Sequence, residues 1–77
     1  MKITVKTAAR IMEKGEMFVR IGLQRNLLPF GLAVQKNPQK KRCKYDYYIN
    51  PQKFAEYLGL SREELEKEVM RMNLPNN

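Results

Sequence analysis

The apolar positions of the chain change period twice, and each change marks a new element. Val5, Ala8, Ala9 and Met12 recur three and four apart, which predicts a helix over 5–13 with one apolar stripe. Thr4 stands at the N-cap, where its hydroxyl can accept a bond from an orphan amide of the first turn. Two of the stripe residues are alanines, small enough for a second helix to cross closely. Lys14, Gly15 and Glu16 read as a tight turn, with Gly15 expected at positive φ. A second helix is predicted over 16–25, with Phe18, Val19, Gly22 and Leu23 on or near its inner face and Asn26 at the left-handed position that ends it. Leu27, Leu28 and Phe30 are expected in the core, and Pro29 stops the helix from continuing.

The period then falls to two. Residues 32–35 read as a short strand and 42–49 as a longer one. In the second strand Cys43, Tyr45, Tyr47 and Ile49 fall on one face, with Lys44, Asp46 and Tyr48 on the other. The connection between the strands, from Lys36 to Lys41, is rich in turn formers and cations. Helical spacing returns after Asn50 and Pro51, a cap followed by proline at the first helical position, and runs through Phe54, Tyr57 and Leu58 to Gly59. Ser61 and Glu64 form a capping box for a last helix, in which Leu65, Val69 and Met72 share a stripe. The tail 74–77 is expected to fray. Helix, turn, helix, two-stranded hairpin and C-terminal helices in this order predict an α+β winged helix-turn-helix. Residues 1–59 make the winged unit, and 60–77 a helical extension of the same domain.

Composition sharpens that picture. Seventy-seven residues make one domain, because chains this short bury only about 60% of the surface they expose on unfolding. A substrate-enclosing cavity beside a core is therefore not expected. Fifteen Lys and Arg stand against eight Asp and Glu, a net charge of +7. The charge is uneven: residues 1–45 hold 11 Lys/Arg and 2 Glu, and residues 46–77 hold 4 against 6 acidic groups. A basic half of this kind favours a polyanionic partner. A lone cysteine, Cys43, excludes an intrachain disulfide and suits a reducing cytoplasm. With neither an apolar run of ~20 residues nor a signal-peptide core, the chain is expected to be soluble and unexported, in the cytoplasm, with no membrane partner.

The chemistry of catalysis is missing from the side chains. With no histidine and one cysteine, zinc sites and Ser/His or Cys/His nucleophiles are excluded. The glycines at 15, 22, 31 and 59 stand alone, so no phosphate-cradling loop exists. Glu63, Glu64, Glu66 and Glu68 lie at and beyond a helix start, where negative charge suits the dipole and the solvent. No enzyme, metal or cofactor is expected.

The second helix carries the candidate chemistry instead. With Val19 and Leu23 inward, Met17, Arg20, Ile21, Gln24 and Arg25 project outward or flank that face. Arg20 suits guanine O6 and N7, Gln24 suits adenine N6 and N7, and Met17 and Ile21 suit a thymine methyl. Arg25, near the helix end, is expected on phosphate. In the wing, Lys36, Lys40, Lys41, Arg42 and Lys44 are expected to neutralise phosphates or enter a minor groove. Lys6 and Arg10, with Lys2, are weaker candidates of the same kind. Tyr45, Tyr47 and Tyr48 also offer a stacking platform for single strands, but two of them alternate inward toward a core. Double-stranded DNA is thus the expected partner. A protein-interaction adaptor whose basic face serves only solubility is the alternative from another class.

The runs Thr7-Ala8-Ala9-Arg10-Ile11-Met12, Phe18-Val19-Arg20-Ile21-Gly22-Leu23-Gln24-Arg25, Leu28-Pro29-Phe30-Gly31 and Tyr47-Tyr48-Ile49 resemble small helix-turn-helix proteins of prophages and integrative elements in Gram-positive bacteria. These are similar in layout to excisionases and to the DNA-binding part of MerR-type regulators. The resemblance covers about residues 3–59. It implies a second helix in the major groove, a wing on the adjacent minor groove or backbone, and several copies bending DNA to bias a site-specific recombinase toward excision. A small transcriptional regulator is the alternative within the same class. Two departures stand out: Gly15-Glu16 occupies a place where such turns often carry a serine cap, and residues 60–73 extend beyond the resemblance, with a stripe that suits packing on the domain or binding a further copy or a recombinase.

Overall fold

A computed structural model describes residues 1–36 and 44–73. Their order is α1 (Val5–Met12), α2 (Glu16–Gln24), β1 (Gly31–Gln35), β2 (Tyr45–Ile49), α3 (Pro51–Leu58) and α4 (Arg62–Asn73). The architecture is a small α+β one, four helices and a two-stranded antiparallel ladder. Lys40, Lys41, Arg42 and Cys43, and the tail 74–77, lie outside the described residues.

Local chemistry accounts for the helix boundaries. Thr4 caps α1 by accepting from the Thr7 amide at 3.1 Å, and Asn50 caps α3 by accepting from the Lys53 amide at 3.1 Å, with Pro51 at the first position. Three helices end in the same way. A residue with positive φ turns the chain back, and the next amide donates to a carbonyl inside the last turn. In α2 the turning residue is Asn26 (φ 55), and Leu27 N–H donates to the Gly22 carbonyl at 2.8 Å. In α3 it is Gly59 (φ 74), with Leu60 N–H on the Ala55 carbonyl at 2.9 Å.

In α1 the turning residue is Glu13 (φ 58), and Lys14 N–H donates to the Ala9 carbonyl at 2.9 Å. This corrects the expectation for Gly15, which has φ −74 and serves as the N-cap of α2 without a side-chain bond. Glycine's freedom is the stronger sequence signal, but the helix ends two residues before it can use that freedom. Glu13 adopts the left-handed state despite its Cβ.

The core comprises Ile3, Ala8, Ala9, Val19, Leu23, Leu28, Phe30, Ile49, Phe54, Ala55, Leu65 and Val69. Ala8 and Ala9 lie where α1 meets its neighbours; α1 packs on both α2 and α4, and α3 packs on α4. Phe30 lies at the centre, its ring 4.7 Å from Phe54 and 5.1 Å from Tyr57. Gly22 admits Leu28: a Cβ there would meet the Leu28 side chain at 2.6 Å. Leu65 and Val69 of α4 are buried in this same core, which reports where the C-terminal stripe goes.

The ladder pairs Gly31 with Ile49, Ala33 with Tyr47 and Gln35 with Tyr45 on the face toward α2, and Leu32 with Tyr48 and Val34 with Asp46 on the exposed face. Gly31 is required by close approach, since a Cβ there would fall 2.3 Å from the Tyr48 carbonyl oxygen. β2 begins at Tyr45 and β1 at Gly31, so among the described residues the second strand is shorter than the alternation predicts.

Leu27, expected in the core, and Phe18, expected on or near the inner face of α2, both reach solvent. Phe18 is 48% exposed and Leu27 is 70% exposed. Phe18 sits between the core-facing Val19 and the outward Met17, and Lys14 Nζ lies 5.5 Å from its ring centroid, covering one face. Leu27 follows Asn26 in the turn, which points it to solvent while Leu28 takes the buried place over Gly22. Nothing in the described structure covers Leu27.

The capping box of α4 is complete. Glu64 N–H donates to Ser61 Oγ at 3.1 Å, and Ser61 N–H donates to Glu64 Oε1 at 2.9 Å. The Ser61 amide, with help from its hydroxyl, holds the Glu64 carboxyl below its ordinary 4.5. A depressed carboxylate stabilises the fold above that ordinary value and loses its effect as pH falls through the lower, folded one. Glu64→Gln is therefore expected to flatten the acid limb of a stability-against-pH curve below about pH 4.5. An acid limb identical to that of the parent would show the box to be thermodynamically silent.

Candidate nucleic-acid interface

The outward face of α2 assembles as the spacing predicts. Val19, Gly22 and Leu23 are buried, while Met17, Ile21, Gln24 and Arg25 are exposed and Arg20 is half-exposed. Residues 17, 20, 21 and 24 are three and four apart, so they share one side of the helix. Two of these side chains are held in place. Arg20 Nη2 donates to Glu16 Oε1 at 2.9 Å, one turn earlier in the same helix. Gln24 Nε2 donates to Tyr47 Oη at 2.6 Å, reaching from α2 to β2.

The Glu16 pair changes the electrostatics expected of this helix. Taken alone, Glu16 beside a phosphate is repulsive. Paired with Arg20, it is neutralised within its own helix. An exposed i, i+4 ion pair stabilises by about 0.2–0.5 kcal/mol, less than the roughly 1–3 kcal/mol of a bidentate guanine contact. Arg20 can therefore exchange or share Glu16 when a base is present.

Beyond Gln24 the sheet continues as a polar-aromatic ledge. Tyr47 and Tyr45 are half-buried on the α2 side of β2, with ring centroids 6.1 Å apart. Gln35 Nε2 donates to Tyr45 Oη at 3.1 Å. Past this ledge, Lys36 N–H donates to the Lys44 carbonyl at 2.9 Å, which brings the ends of the two strands' flanking segments together. Three residue steps lead from Tyr47 back to Lys44, roughly 10 Å at the usual rise of extended chain. That span is comparable with the ~12 Å width of a major groove.

The basic candidates are not equivalent. Lys44 is exposed, and Lys36 Nζ pairs with Asp46 Oδ1 at 3.1 Å on the outer side of the ladder. Lys36 therefore brings less uncompensated charge than the sequence suggests. Lys6 and Arg10 lie four apart on the exposed side of α1, away from α2 in sequence, and Lys2 precedes them on the exposed N-terminal segment. Arg25 is exposed at the C-cap of α2.

Tyr47 and Tyr45, expected chiefly in the core, lie at its edge, and Tyr47 packs against it. Alternation sets them on the inner face, but only Ile49 reaches the fully buried centre. Tyrosine in place of phenylalanine at 45 and 47 was the available signal, because a phenol at the wet end of a packed face seeks a hydrogen-bond partner.

Among the described residues, no group of three His, Cys, Asp or Glu is arranged to hold a metal ion, and no helix is long and apolar enough to cross a membrane. The chain matches no protein-family model, no curated protein and no solved structure.

Proposed function

We propose that this chain is a winged helix-turn-helix protein that binds duplex DNA sequence-preferentially, without catalysis. The observation that carries this reading is the outward face of α2. There Arg20 and Gln24 sit one turn apart, beside a ladder whose far end brings Lys44 into a chain segment of five cations. In this reading α2 enters the major groove, Arg20 and Gln24 read base edges, Met17 and Ile21 meet thymine methyls, and Arg25 with the wing cations holds phosphates. The role in the cell follows the sequence resemblance: an excisionase-like accessory factor of a prophage or integrative element, acting with a recombinase or with further copies of itself. A small transcriptional regulator uses the same surface and differs in leaving recombination unchanged.

Arg20→Ala is expected to weaken binding to the preferred duplex by roughly 1–3 kcal/mol and to relax preference at one base pair. Band shifts on preferred and random duplexes, with every base substituted in turn, check this. Equal losses on both duplexes would assign Arg20 to the backbone instead.

One observation favours a second reading. Met17, Phe18 and Ile21 form an exposed apolar patch on α2, which also suits a protein partner. An adaptor of that kind would bind no duplex even near 50 mM salt, a condition that exaggerates phosphate contacts.

A further inference from the structure

We infer that Tyr47 is the positioning residue for Gln24, so that the pair, and not Gln24 alone, selects adenine at one place in the DNA site. This rests on the duplex-binding reading above. Gln24 is tied to a different element of the fold, its Nε2 donating to Tyr47 Oη across 23 residues of sequence at 2.6 Å. Arg20, by contrast, finds its partner within its own helix.

A glutamine on a helix surface is a poor reader by itself. Its side chain loses rotamer freedom on binding, and its amide, turned over, presents nitrogen where oxygen is needed. Adenine requires one arrangement: an acceptor facing N6 and a donor facing N7. The amide nitrogen carries two hydrogens. With the one that points away from Oε1 on Tyr47, the other N–H and Oε1 remain side by side and form the edge that adenine accepts.

The hydroxyl that does this is itself well held. Tyr47 is half-buried against the core, pairs with Ala33 in the ladder and packs on Tyr45, whose hydroxyl accepts from Gln35. Gln24 is thus oriented from a strand rather than from a loop, and the ladder contributes to base selection without touching a base.

The test uses the full chain. A duplex site is selected from a randomised oligonucleotide pool with the parent protein. Each adenine in it is then replaced by 7-deazaadenine, which lacks the N7 acceptor. At one adenine the parent is expected to lose roughly 5- to 100-fold in affinity, and Gln24→Ala is expected to be indifferent there. Tyr47→Phe keeps the ring and removes the hydroxyl. It is expected to lose most of the 7-deazaadenine effect while keeping its affinity for random duplex and its thermal midpoint. In the free protein, the two Gln24 side-chain amide protons are expected to resonate apart from other glutamines and to return to them in Tyr47→Phe.

Full discrimination in Tyr47→Phe overturns the positioning role. So does an equal loss on selected and random duplex, which is what a merely structural link between α2 and β2 would give. A parent that binds a selected site but ignores every 7-deazaadenine removes Gln24 as a reader and leaves DNA binding standing. A parent that binds no duplex removes both.

Discussion

Phe30→Ala is expected to destabilise the fold by about 3–5 kcal/mol, the usual cost of emptying a buried aromatic site. Phe30 is fully buried, its ring tilted against Phe54 and edge-on to Tyr57, and its carbonyl accepts from the Asn50 amide at 2.8 Å. It therefore joins the end of α2, the start of β1 and the entry to α3. Total stability for a chain of this size is of the order of 4–12 kcal/mol, so the substitution removes a large share of it. In a domain this small the thermal midpoint should drop on the order of 20 °C. Leu27→Ala is the matched control, since Leu27 is 70% exposed and its truncation should change stability by no more than about 0.5 kcal/mol. Circular-dichroism melts of the two variants decide the matter; a Phe30→Ala loss below about 1 kcal/mol would mean that the centre of the core lies elsewhere.

Raising the salt from 50 to 200 mM is expected to weaken duplex binding about 10³-fold, the loss for roughly six phosphate contacts. The candidates for those contacts are Lys6, Arg10, Arg25, Lys36, Lys40, Lys41, Arg42 and Lys44. They should not contribute alike. Lys36 is already paired with Asp46, and Lys36→Ala should hardly change the slope of log affinity against log salt. Lys40→Ala combined with Lys41→Ala should flatten it by up to about two units, close to one per lost contact. Titrations by fluorescence anisotropy at four or five salt concentrations measure both. A slope shallower than about −2 for the parent would leave the wing without a backbone role, and an unchanged slope in the double variant would leave those two lysines in solvent.

Much of the architecture was legible from local signals. Thr4, Asn50-Pro51 and the Ser61/Glu64 box mark helix starts by supplying oxygens to amides a few residues away, a task that needs no tertiary partner. Asn26 and Gly59 mark helix ends by taking positive φ, which is equally local. Glu13 was not legible, because the side chain gives no sign of a left-handed backbone and Gly15 nearby offers a better one. Phe18 and Leu27 reach solvent although both are large and apolar beside inward positions. Periodicity cannot tell a core residue from a neighbour that the turn of the chain directs outward.

The candidate surface divides along the same line. Which residues leave the core side of α2 follows from the chain alone, since a period of 3.6 sends residues 17, 20, 21 and 24 away from Val19 and Leu23. So does the excess of positive charge in residues 1–45. Glu16 and Arg20, one turn apart in α2, pair by the same local period, whereas Gln24 on Tyr47 and Lys36 on Asp46 depend on how the elements pack. The Gln24 bond joins residues 23 apart, and Lys36 and Asp46 are brought close by the β1–β2 ladder. The reason is physical. Hydrophobic period is a property of the chain, whereas a hydrogen bond of 2.6 Å between a helix and a strand depends on how the core sets the two against each other.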